Sequence, residues 1–222
     1  MGIVRSLTEK PWLTPGLEPL TEPDAEGLRA RPAAAVALRL YFGVATVMFL
    51  LIASVFVMRM GEHGLSTGQQ LEWKPVSWPA LLWFNTGVLL LSSAAWEWAR
   101  AAARQGQLDG LRAGVIAAGV LALGFVAGQL IVWRQLQAAG CGITATTMSG
   151  FFYLITGLHG LHVLGGLTVW GRTTARVLEG GAAVARQAVD LCTLYWHFLL
   201  LVWLVMFGLL LSNADRMAAV IR

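Results

Sequence analysis

Five apolar runs divide this chain, over residues 40–58, 79–99, 113–133, 149–170 and 191–211. Each is long enough for one helix to cross a bilayer, at about 20 residues per span. The connections between them are too short and too polar to fold a soluble shell around the runs. The pattern therefore predicts an all-α membrane protein, a five-transmembrane-helix bundle over residues 39–213. A tail of residues 1–38 precedes it, and a short outer tail, 214–222, follows.

Composition sharpens this reading. With 57% hydrophobic residues, 13% charged and a mean hydropathy of +0.65 over 222 residues, the chain lies outside the range of a soluble globular domain. Five of its seven prolines, Pro11, Pro15, Pro19, Pro23 and Pro32, fall in the first 38 residues, which predicts an extended cytoplasmic tail. No apolar core follows directly on a basic start, so no cleavable leader is expected and the first span itself directs insertion.

Charge sets the expected orientation. Eleven of the sixteen Lys and Arg residues fall on the side of the first, third and fifth segments outside the bilayer (Arg100, Arg104, Arg112, Arg172, Arg176 and Arg186 among them), and five on the other. The positive-inside rule then places the N terminus in the cytoplasm and the C terminus in the periplasm, for a protein of the bacterial inner membrane. The net charge of +4 belongs to the inner surface and calls for no nucleic acid. Tryptophans near the span ends, Trp78, Trp83, Trp96, Trp98, Trp133, Trp170 and Trp196, are expected to form an interfacial belt. Glycines on the third and fourth runs, Gly124 and Gly128 in a GxxxG among them, are expected to pack helices closely. Cys141 and Cys192 fall on opposite sides of the membrane, with no CxxC spacing for zinc or an iron–sulfur cluster.

Candidate chemistry is concentrated in histidines. His159 and His162 lie in the fourth run and His197, after Tyr195 and Trp196, in the fifth. An imidazole in hydrocarbon is costly unless it finds a partner. At ~1.5 Å per residue, His162 is roughly 15 Å from the inner boundary and His197 about 10 Å. Three readings compete: a haem held between His162 and His197, a divalent metal site, and neutral imidazoles bonded to backbone carbonyls, Thr156, Tyr195 or lipid headgroups. Bulky Trp196 and Phe198 beside Gly160 suggest helix contact rather than room for a porphyrin, and no carboxylate lies at this depth to complete a metal site. The third reading is favoured. It leaves no catalytic, cofactor or metal residue on this chain, and His159, His162, Arg176, Tyr195, Trp196 and His197 as lipid-binding or bundle-structural positions. Only Glu97 and Asp190 among the acids come near a span, at its cytoplasmic end, so no proton path crosses this chain alone. No interrupted helix pair suggests a transporter.

Thr156, Gly157, His159, Gly160, His162, Val163 and Gly166, followed by Tyr195, Trp196, His197, Phe198 and Trp203, form a pattern that resembles subunit III of the haem-copper (cytochrome c) oxidases in its short, five-helix bacterial form. The run FNTGVLLLSSAAWEWARAAARQG extends the likeness upstream, so that it covers roughly 84 to 210. The resemblance implies a non-catalytic subunit that stabilises the catalytic, haem-bearing subunit I beside the copper-domain subunit II, within an assembly that reduces dioxygen to water. It implies haem and copper in the partner subunits only, bound phospholipid with Arg176 near a phosphate, and contact with cytochrome c or another respiratory complex through the assembly. A quinol oxidase subunit III or an accessory protein of nitric oxide reductase would share the motifs. Two departures stand out: Thr46 falls where the family often carries a buried Glu, and Leu199 and Leu200 where Val-Asp is common.

Overall fold

The computed structural model describes the backbone of residues 22–63, 80–144 and 147–220. It is helical in four stretches: α1 (Glu22–His63), α2 (Ala80–Arg104), α3 (Leu108–Ala138) and α4 (Thr147–Val220). The chain divides into two compact units, residues 1–39 and 40–222, and the packing that follows is that of the second. Four segments of the described residues are long and apolar enough to cross a membrane: Ala33–Met58, Leu108–Ala138, Ser149–Glu179 and Arg186–Ser212.

Two of these segments lie in α4, and they run side by side. A straight helix would separate residues 33 apart by about 50 Å. Tyr195 Oη instead donates to the His162 carbonyl at 2.8 Å across that interval of 33. Thr173 Oγ1 lies 3.3 Å from Cys192 Sγ. The helical path therefore reverses between Thr173 and Cys192, where the sequence carries Gly180 and Gly181.

The other turns are made by glycine. Gly106, with φ 72°, ends α2, and Gly140, with φ 81°, ends α3. In each case two amides reach back to free carbonyls: Gln107 N to Ala102 O at 2.9 Å and Gly106 N to Ala103 O, then Cys141 N to Leu136 O at 2.9 Å and Gly140 N to Gln137 O. These are Schellman ends, which need the left-handed backbone that glycine adopts without strain. Arg186 adds its guanidinium to the carbonyls of Ala103 and Arg104 at 3.3 Å.

Three outcomes differ from the sequence reading. First, α1 is helical from Glu22, across residues 22–38 where proline predicts an extended chain. Pro23 falls in its first turn, where a missing N–H costs nothing, and Ala, Leu and Arg around it favour helix, whereas Pro32 lies in the helix interior against its usual preference. Pro11, Pro15 and Pro19 lie outside the described residues, as does Trp78. Second, the last helix runs past the predicted span end at 211, through residues 214–220. Third, Trp96 and Trp196 do not stand in an interfacial belt. Both are fully buried with rings 5.3 Å apart, and Trp196 Nε1 donates to Ser92 Oγ at 3.0 Å.

The core has two parts. At one end Trp96, Ala99, Leu111, Val115, Ala118, Val177, Val189 and Trp196 pack together. At the other, Phe49, Phe56, Leu89, Phe125, Val132, Leu199 and Trp203 do so. Within residues 40–63, α1 meets α4 through large rings: Phe42 stacks on Phe198 at 4.4 Å, and Phe49 and Phe56 reach His162 and Phe151. A small apolar cavity of about 20 Å³ opens between Phe49, Phe56, Phe152, Ile155 and Met206.

Candidate functional site

The polarity of α2 is turned inward. Asn85, Thr86, Ser92 and Ser93 are buried, while Phe84 (66% exposed), Leu91 (60%) and Trp98 (54%) stand outside. A seven-residue interval repeats both sets on opposite faces, as helical geometry requires. Asn85, Thr86 and Ser92 each bond to another helix or their own, while Ser93 Oγ is buried with no hydrogen-bond partner among the described residues. Ser92 Oγ donates to Ala118 O at 2.8 Å and accepts from Trp196, and Thr86 Oγ1 accepts from Trp203 Nε1 at 3.0 Å. Asn85 Nδ2 donates to Phe125 O at 3.4 Å and to Gln129 Oε1 at 3.3 Å. Its Oδ1 lies against Gly128, where a methyl group would overlap it. Of the GxxxG pair only Gly128 makes so close an approach; Gly124 meets a single methyl of Val88 at 3.9 Å.

The three histidines have separate surroundings. His162 is half-buried, its Nδ1 2.7 Å from the Leu158 carbonyl, its ring 5.9 Å from Tyr41 and 5.2 Å from Phe49. His197 Nδ1 lies 2.7 Å from the Thr193 carbonyl and its Nε2 3.6 Å from Glu97 Oε1 on α2. His159 is fully buried among Trp203 (5.3 Å), Phe125 (6.0 Å) and Phe49 (6.5 Å). His162 thus faces α1 and His197 faces α2, an arrangement that does not fit one porphyrin between them. Among the described residues no group of three or more His, Cys, Asp or Glu could hold a metal ion.

The remaining candidates divide in the same way. Tyr195 joins the His162 side, with its hydroxyl 3.3 Å from that of Tyr41. Trp196, the next residue, points into the core against Trp96. Arg176 is exposed and makes no hydrogen bond or ion pair among the described residues. Thr46 faces away from the bundle, and Leu199 is fully buried.

Sequence reasoning passed over Tyr41, Gln129 and the inward face of α2, although Asn85 and Ser92 at a seven-residue spacing in an apolar run was a usable signal. It also passed over an ionic cluster at one end of the bundle. Arg100 Nε meets Asp190 at 2.7 Å, Arg100 Nη1 meets Glu97 at 3.3 Å, and Arg104 approaches Asp190 at 3.8 Å. The two pairs with Asp190 link α2 to the second half of α4.

An all-α bundle with its polar groups inside, its large apolar groups outside and several segments able to cross a bilayer defines a multi-pass membrane protein. The family model described as cytochrome c oxidase subunit III matches residues 35–212, and the chain belongs to that family. It is 34% identical over 123 residues to the probable cytochrome c oxidase subunit 3 of Mycobacterium tuberculosis, covering 55% of this chain and 61% of the relative. It is 30% identical over 173 residues to cytochrome c oxidase subunit 3 of Synechocystis, covering 75% and 72%. It is 28% identical over 124 residues to the cytochrome bo(3) ubiquinol oxidase subunit 3 of Pseudomonas aeruginosa, covering 55% and 59%. The matched stretch thus spans about three fifths of the mycobacterial relative.

Proposed function

We propose that this chain is the non-catalytic third subunit of a bacterial haem-copper terminal oxidase, which crosses the inner membrane five times and holds the catalytic subunit in place. The observation that carries this is the inverted polarity of α2, joined to the family match over 35–212. Its 25 residues reach about 37 Å as a helix, enough to cross a bilayer of ~30 Å. Inward Asn, Thr and Ser lower its mean hydropathy without touching lipid, which accounts for the weaker apolar signal of this crossing beside the other four.

Orientation follows from charge: N terminus cytoplasmic, C terminus periplasmic, with Arg100, Arg104, Arg172, Arg176 and Arg186 at the inner surface. Haem and copper belong to the partner subunits I and II, and reduction of dioxygen to water to the assembly. Phospholipid is proposed to lie along α1, where ring-to-ring contacts leave the helix loosely seated. The Tyr41, His162 and Tyr195 cluster would meet a headgroup there, with Arg176 free to meet a phosphate. His159, Trp196 and His197 serve the bundle. The electron donor is cytochrome c, in keeping with two of the relatives; the quinol oxidase relative supports the second reading, a quinol-fed assembly with the same subunit III.

Gentle purification from native membranes through a tag on the N-terminal tail tests the proposal. Subunit masses and a reduced-minus-oxidised spectrum should reveal a haem protein and a copper-domain partner, the separated chain being colourless. A copurifying set with no copper domain favours the quinol reading. A chain that comes alone and coloured overturns both.

A further inference from the structure

Asn85, Gln129 and His159 place buried amide and imidazole groups within one level of the bundle, and their bonding is incomplete. The helices α3 and the first half of α4 run antiparallel in a fixed register: Val115 meets Trp170, Phe125 meets His159, and Trp133 meets Thr156 and Tyr153. That register sets Gln129 opposite the turn from Thr156 to His159. Gln129, Thr156 and His159 are all buried.

The orientation of the amides follows from their partners. The Phe125 carbonyl can only accept, so Asn85 presents its NH2 to it and, with the same group, to Gln129 Oε1. Gln129 Nε2 is thereby turned away from Asn85. It is buried with no hydrogen-bond partner among the described residues, as are both ring nitrogens of His159. His159 differs here from its neighbours. His162 and His197 each lie 2.7 Å from the carbonyl four residues earlier, whereas the His159 ring turns inward among Phe49, Phe125 and Trp203. At this depth the surrounding lipid supplies no compensating partner, so donors and acceptors must be met from within.

We propose that Gln129 and His159 bind one internal water molecule between them. The water accepts from Gln129 Nε2–H and donates one O–H to the unprotonated ring nitrogen of His159. Its second O–H goes to Thr156 Oγ1, which accepts from Trp133 Nε1, donates to Phe152 O and keeps one lone pair. The count of three bonds is usual for a buried water. The other ring nitrogen of His159 then carries its proton among the rings of Phe49, Phe125 and Trp203. All four helical segments from α2 onward would be tied through this point, since Asn85 brings in α2 and Trp203, against His159, the second half of α4.

A density map of the assembled complex that contains this chain, at about 2 Å, decides the matter whatever its partner subunits are. Expected is a solvent peak at hydrogen-bond distance, about 2.7–3.2 Å, from both Gln129 Nε2 and a His159 ring nitrogen. In Gln129→Met that peak disappears while His159 stays in place. A dry level in the parent complex overturns the proposal, and so does a His159 ring rotated onto the Ile155 carbonyl. If Gln129→Met does not assemble, the parent map alone gives the answer.

Discussion

Trp170 donates its indole N–H to the Val115 carbonyl, 2.8 Å away, across a notch that Gly119 leaves in α3. The bond ties α3 to the first half of α4 and uses a carbonyl that already serves its own helix. It depends on close approach, because a methyl group at residue 119 would overlap the indole ring itself. Gly119→Leu is therefore expected to cost about 1–3 kcal/mol through overpacking. Thermal release of the chain from the purified assembly measures it, and an unchanged release temperature would contradict the packing. Trp170→Phe keeps most of the ring and drops one hydrogen bond, so its effect is expected to be smaller, about 1 kcal/mol.

The relay from Trp196 Nε1 to Ser92 Oγ to the Ala118 carbonyl joins three helices through one buried hydroxyl. Ser92→Ala strands a buried indole N–H, which costs about 1–3 kcal/mol. Trp196→Phe removes that N–H, so adding Ser92→Ala to it should cost less than Ser92→Ala alone. A double-mutant cycle on release temperature checks this. Strict additivity would mean that the two side chains do not share the bond.

The ionic cluster of Arg100, Glu97, Arg104 and Asp190 is expected to matter little to stability. Its best pair, Arg100 with Asp190 at 2.7 Å, is only partly shielded, with side chains 35% and 37% exposed. Such pairs contribute below about 1 kcal/mol and are screened by salt. Asp190→Asn should shift release temperature slightly in dilute buffer and not at all in 1 M salt, on the order of a 3 Å Debye length. A large, salt-independent loss would point instead to a packing role for Asp190.

Much of this arrangement was legible in the sequence, and the reasons for the rest are physical. Long apolar runs located α3 and both halves of α4, because lipid demands helices of a fixed length. The inward face of α2 was legible in kind, as Asn85 and Ser92 one heptad apart, but not in partner: Gln129 and Trp196 lie 44 and 104 residues away, and only packing pairs them. Tryptophan was misread at 96 and 196 because an indole is as suited to a buried hydrogen bond as to an interface. Proline misled at Pro23 because its cost in the first turn of a helix is nil; Pro32 lies in the helix interior, and its place there has no such explanation. His162 and His197 fall at similar depth in the sequence and His159 about a turn away; their division among α1, α2 and the aromatic core depends on rotation about each helix axis.

Tyr195 Oη holds the His162 carbonyl at 2.8 Å, and the two side chains together contact Tyr41 of α1. His162→Leu and Tyr195→Phe should loosen α1 and reduce copurifying phospholipid or retention of the chain, without moving any haem band of the assembly. Lipid phosphorus per complex and the absorption spectrum are read together. A shifted or lost band in His162→Leu would assign that imidazole a redox role and contradict the structural one.

The two cysteines report orientation without any substitution. Cys141, at the Schellman turn that ends α3, is partly exposed, whereas Cys192 is buried against Thr173. A thiol reacts as thiolate and only where reagent reaches it, so Cys192 should stay inert until the bundle unfolds. With the N terminus in the cytoplasm, Cys141 lies on the periplasmic side, and a membrane-impermeant maleimide should label it in intact spheroplasts. Labelling confined to inverted vesicles would reverse the orientation. Labelling of Cys192 in the folded assembly would contradict the burial of the second half of α4. Cys141→Ser supplies the control, since it removes the expected signal and leaves the Tyr153 hydroxyl bond to the carbonyl at residue 141, which is backbone, intact.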